Sequence, residues 1–277
     1  MTHTLDNGTL RIAVDTHGAE LKSLVKGETD FICSGTDFWK YSSPILFPIV
    51  GKLKDDTFRF GGKSYTLASH GFGRLSDFTC VAENPLTFRL TYSDDTLKNY
   101  PFKFALTVTY ALDGNELTIT DRVENLDDKP LYFSIGAHPA LCVDGDFDAW
   151  QLEFSQSEHC ARIPLNGGLL SHERIPTLDG RILKLNYELF KDDALIFDDF
   201  KSDAVTLRGK NHAVTLKAAN WPFWGFWTKI GAPFVCIEPW HGHADFCDFS
   251  GELPDKDGIR KLAVGETFTT SYALAVD

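Results

Sequence analysis

KFALTVTYALDGNELTITDRV, residues 103–123, reads as two β-strands folded back on each other. Phe104, Leu106, Val108 and Tyr110 alternate with alanine and threonine, and Leu117, Ile119 and Val123 continue the pattern beyond the turn. A period of two places one set of side chains on one face of a sheet. Asp113-Gly114 falls between the runs, where a tight hairpin needs residues that tolerate positive φ. Similar runs lie at residues 9–14, 87–92, 204–208, 213–218 and 267–275. Helical periodicity is confined to a short turn at residues 94–99. Many strands separated by turn signals predict an all-β fold, a large antiparallel β-sandwich. No break in the pattern divides the chain, so residues 1–277 read as one domain. A wide curved sheet offers its concave face for binding, with side chains drawn from strands distant in sequence.

Bulk composition narrows the functional classes. With 43% hydrophobic residues the chain can build a large core, and its net charge of −12 argues against nucleic acid or an anionic membrane as partner. A phosphorylated small molecule needs only a local cation and stays open. No apolar run reaches the roughly 18 residues of a membrane span, and MTHTLDNGTL lacks the basic and apolar regions of a signal peptide. A soluble, cytoplasmic protein is expected. The six cysteines form no C-x-x-C pair and read as buried free thiols rather than a disulfide or zinc framework.

The densest chemistry lies in WPFWGFWTKIGAPFVCIEPWHGHAD, residues 221–245, which holds four of the six tryptophans and two of the nine histidines. Its indoles, Trp240 among them, read as flat walls that stack on the C–H faces of a sugar. The plain alternative is a buried aromatic core with a salt-bridged glutamate. Pro239 pushes Glu238 towards extended geometry, which the pattern places at a strand's end, aimed into a cleft. FSIGAHPA at 133–140 repeats the arrangement with His138 before Pro139. A histidine and a glutamate in one backbone context are the minimum equipment for moving a proton between oxygens. In SHGFGR, residues 69–74, Gly71 and Gly73 set a bend that presents His70 and Arg74. The apolar SPILFPIVGK at 43–52 packs beneath that bend and releases Lys52, with Lys54 beyond, as anion contacts or plain solvated lysines. Asp193 opens the strand-like run 194–197 and is placed to bond sugar hydroxyls. His241 and His243 with His70 and Glu238 raise a cupin-like metal site, against which Pro239 and Gly242 interrupt the strand that would align them. No G-x-S-x-G elbow supports a serine hydrolase.

SHGFGR at 69–74, GAHP at 136–139 and IEPWHGHAD at 237–245, in that order, resemble the aldose 1-epimerase (galactose mutarotase) superfamily, and within it the LacX-like branch. The resemblance runs from PILFPIVG at 44–51 to the closing LAVGE at 262–266. It implies the galactose mutarotase-like supersandwich and a cofactor-independent, metal-free isomerase acting on a sugar. Carried onto this chain, it implies Glu238 as the base that takes the anomeric hydroxyl proton and His138 as the acid that protonates the ring oxygen. His70, Arg74 and Asp193 match sugar-binding positions. The Asn-Arg pair of galactose-type enzymes is absent, and of the arginines around the phosphate in the hexose-6-phosphate branch only Arg74 is matched, with Lys52 as a stand-in. A free hexose, a hexose 6-phosphate and a non-catalytic carbohydrate-binding role on the same fold therefore stay open, as does a homodimer.

Overall fold

The expected hairpin forms the middle of a nine-stranded antiparallel sheet. A computed structural model describes residues 1–277. In it Phe104–Asp113 and Glu116–Asn125 pair from Glu116 opposite Asp113 to Asn125 opposite Phe104. Gly114 takes φ of 53° at the turn, which a residue without Cβ accepts freely. The sheet runs in the order Ile175–Lys184, Gln151–Arg162, Ala204–Arg208, Ala213–Lys217, Thr267–Val276, Glu116–Asn125, Phe104–Asp113, Leu86–Thr91, Thr79–Glu83. The short helix Asp94–Asn99 falls where its periodicity placed it, held by a reciprocal cap between Ser93 and Thr96. No helix is long and apolar enough to cross a membrane.

A second sheet is built on Phe234–His241, every residue of which is buried. Phe223–Trp227 and then Leu195–Phe197 lie on one side, and Ile135–Gly136 and Ala140–Cys142 on the other. Alternation sends Val235 and Ile237 into a core shared with Leu106, Val108, Leu117 and Ile119 of the large sheet. Each such side chain contributes roughly 1.5–3 kcal/mol on burial. The opposite face of the same strand carries Cys236, Glu238 and Trp240. The apolar segment 44–50 is buried as expected: Leu46 exchanges backbone hydrogen bonds with Gly136, and Phe47 O accepts from Gly73 N.

One expectation fails here. Glu238 is not at a strand's end but in the middle of the strand that organises this sheet. Proline removes a donor without ending pairing, because the carbonyl of Pro239 still accepts from Ala137 N.

Candidate active site

His138 and Glu238 are cross-strand neighbours. Gly136 pairs with Trp240 and Ala140 with Cys236, so His138 stands opposite Glu238. Ala137 and Pro239 form the hydrogen-bonded pair beside them, which leaves His138 and Glu238 in the narrower, non-hydrogen-bonded register where side chains approach most closely. Pro139 and Pro239 each withhold an N–H from the ladder here. His138 Nε2 lies 3.2 Å from Glu238 Oε2 without the alignment of a hydrogen bond, and His138 Nδ1 has no partner either.

The pair forms the floor of a cavity of about 250 Å³. The seven residues read from the sequence as acid–base or sugar-binding candidates all line it: Glu238, His138, His70, Arg74, Asp193, Lys52 and Trp240. Trp240 fits only because its ring lies against two glycines, Gly136 directly opposite on one neighbouring strand and Gly225, the partner of Glu238, diagonal on the other. A Cβ at Gly136 would stand 2.6 Å from its ring and one at Gly225 2.5 Å. His70 sits on a left-handed backbone, φ 64°, and accepts a hydrogen bond from Gly51 N on Nδ1. The neutral ring therefore carries its proton on Nε2 and can donate. Gly71 beside it approaches Phe47 so closely that a Cβ would lie 2.4 Å from the carbonyl oxygen. Arg74 donates to Ser69 O at 2.8 Å and lies over the Tyr41 ring. Lys52 Nζ donates to Gly167 O at 3.3 Å.

Burial dominates the electrostatics. It raises the Glu238 carboxyl well above the usual carboxylate range, and the charge of Asp193 adds to the rise. The indole N–H of Trp240 pulls the other way without reaching hydrogen-bond geometry. Burial likewise holds His138 well below its ordinary value, helped by His70 and Arg74. His70, part-exposed to the cavity, is pushed down to about 3 by burial and then by Arg74. An uncharged imidazole facing an uncharged carboxyl is what a dry site favours.

Several expectations need correction. Asp193 does not open the strand, which begins at Leu195. It occupies an exposed turn at φ 87°, its carboxylate accepting from Ala194 N. Of the four tryptophans, Trp221 and Trp224 belong to the core, and Trp227 and Trp240 to the cavity. The cupin-like set does not assemble. His241 faces the core, its ring tilted against Trp221 with centroids 4.4 Å apart and bonded to Thr270, and His243 is bonded to Ala244 O. Lys54 opens towards a different depression. Cys247 is exposed rather than buried. At this site the metal-ligand types that do converge are His138, Cys236 and Glu238, whose donor atoms lie within 4.8 Å of one another.

The sequence reading missed Trp39, whose indole lies 4.8 Å from the His138 ring and 5.5 Å from Trp227. A tryptophan in the polar loop TDFWKYS was the available signal. It also missed the rim at Leu165 and Gly168, carried by two two-residue strands too short for periodicity to register.

Residues 1–259 match the family model described as aldose 1-epimerase. The chromosomal protein LacX of Lactococcus lactis subsp. lactis is 32% identical, covering 100% of this chain and 99% of its own. Among solved structures, a galactose mutarotase related enzyme from Lactobacillus acidophilus superposes with a TM-score of 0.94 at 32% identity, covering 100% of this chain and 97% of its own. A galactose mutarotase-like protein from Lactobacillus casei gives 0.94 at 27% identity, with 100% of both chains covered.

Proposed function

The chain belongs to the aldose 1-epimerase family, and on that premise we propose that it interconverts the α and β anomers of an unphosphorylated aldose. The observation that carries this reading is the facing of His138 and Glu238 at 3.2 Å on the floor of an indole-walled cavity. Glu238, as carboxylate, takes the proton of the C1 hydroxyl. The C1–O5 bond breaks as C1=O forms, and O5 takes a proton from His138. The aldehyde turns about C1–C2, and reclosure on its other face returns both protons. Trp39, Trp227 and Trp240 supply apolar surface for the sugar faces. His70 donates from Nε2 to a sugar oxygen, and Asp193 accepts from a hydroxyl at the rim.

A neutral substrate is favoured because the cavity's two cations are partly engaged within the protein: an Arg74 Nη donates to Ser69 O over the Tyr41 ring, which leaves its Nε unpartnered, and Lys52 Nζ donates to Gly167 O. The test follows optical rotation of freshly dissolved α-D-glucose, α-D-galactose and their 6-phosphates. Wild type is expected to accelerate a free sugar, with Glu238→Gln and His138→Ala each lowering the rate by about 10²–10⁴. Faster turnover of the 6-phosphate would reverse the substrate assignment. Sugar binding with no acceleration would make the protein a carbohydrate-binding module.

A further inference from the structure

Outside the pocket, three side chains of metal-ligating type converge where the strand Thr2–Asp6 meets the edge strand Thr79–Glu83 of the nine-stranded sheet. They are His3, Cys80 and Glu83, and their donor atoms lie within 4.8 Å of one another. His3 Nδ1 is 3.2 Å from Glu83 Oε1, and Cys80 Sγ is 3.6 Å from the same oxygen.

A β-bulge creates this cluster. On an unbroken strand, residues three apart face opposite sides. Here the register against Leu86–Thr91 shifts between Cys80 and Ala82, so that Cys80 pairs with Phe88 and Glu83 with Leu86. Phe88 and Leu86 share a face, and the extra residue, Val81, therefore brings Cys80 and Glu83 to one side. His3 reaches them from the neighbouring sheet, its ring edge-on to Phe88 at 5.5 Å.

We propose that His3, Cys80 and Glu83 bind one zinc-class divalent cation. Tetrahedral zinc with bonds of about 2.05 Å to nitrogen and oxygen and about 2.3 Å to sulfur sets N–O and S–O separations of about 3.3 and 3.6 Å. The 3.2 and 3.6 Å found here match those edges. Imidazole and thiolate select a borderline-soft ion over calcium or magnesium. The Glu83 side chain is 69% exposed, which leaves the fourth position to water. Binding releases the Cys80 thiol proton to solvent and ties the N-terminal strand to the sheet edge.

The test uses the full, tag-free chain and Zn²⁺ in competition with a chromophoric chelator, comparing wild type, Cys80→Ala and Cys236→Ala. Wild type is expected to take up zinc, Cys80→Ala to lose one ion per chain, and Cys236→Ala to retain it. Co²⁺ should give thiolate charge-transfer absorption that Cys80→Ala abolishes. Zinc at a hundredfold excess over Kd should raise the Tm of wild type by about 5–10 °C and leave Cys80→Ala unmoved. Absence of uptake by wild type, or uptake that Cys80→Ala leaves unchanged, overturns the proposal. Uptake lost only in Cys236→Ala does so too, because it puts the ion on His138, Cys236 and Glu238.

Discussion

Between the lowered value of His138 and the raised value of Glu238 the pair holds one proton, since burial lifts the carboxyl and holds the imidazole down. In the proposed reaction, ring opening begins with that proton on His138. The uncharged arrangement that burial favours, neutral His138 with Glu238 protonated, is the one that reaction requires while the aldehyde is bound. Both arrangements are net neutral, so the pocket never has to bury a lone charge. A flat kcat/KM between those two limits follows. The acid limb comes where the pair gains a second proton, below the ordinary histidine value of 6.5. The alkaline limb comes where it loses its only one, well above the ordinary carboxylate value of 4.5. A midpoint at either ordinary value would contradict this. The raised folded-state value also means that Glu238 contributes full stability only below about 4.5 and loses it as pH rises. Glu238→Gln, besides its loss of rate, should therefore raise Tm by a few degrees at pH 8, with the gain vanishing towards pH 4 in thermal melts.

At the scale of elements, the site depends on two strands and one bend. The strands set His138 against Glu238 by register, and the bend SHGFGR delivers His70 from a separate part of the chain. Gly71 makes the bend workable, combining φ of 67° with the close approach to Phe47 O. Gly71→Ala is expected to cost roughly 2–4 kcal/mol in urea unfolding and to lower activity by displacing His70. Gly61→Ala, at a similar φ of 59° with nothing within 4 Å of its Cβ, isolates the backbone contribution. Equal losses at both positions would remove the steric argument. Proline before a strand ladder reads locally as a stop, which is why the mid-strand placement of Glu238 was not legible. Whether the ladder continues depends on a neighbour's amide, here that of Ala137, a hundred residues away in sequence.

Across the whole molecule, one 58-residue core takes side chains from Leu10 to Val276. We propose that residues 1–277 unfold as one cooperative unit, with tryptophan fluorescence and far-UV circular dichroism giving coincident transitions in denaturant. Separated midpoints would divide the chain. Strand positions were legible in the amino-acid order because period-two alternation and the Asp-Gly turn are local properties. His70, His138 and Glu238 stood out for the same reason, since glycine and proline constrain only their immediate neighbours. Facing was not local. Trp224 and Trp240 sit in one aromatic-rich stretch, yet the second sheet's position sends the first to the core and the second to the cavity. His241 turns away from Glu238 by strand parity, and Cys80 joins Glu83 only through a bulge in pairing with the next strand. Amino-acid order alone determined where the chain forms strands and which residues are candidates for acid–base chemistry. Only tertiary structure decided which of them meet, because the face a side chain shows depends on register with strands elsewhere in the sequence.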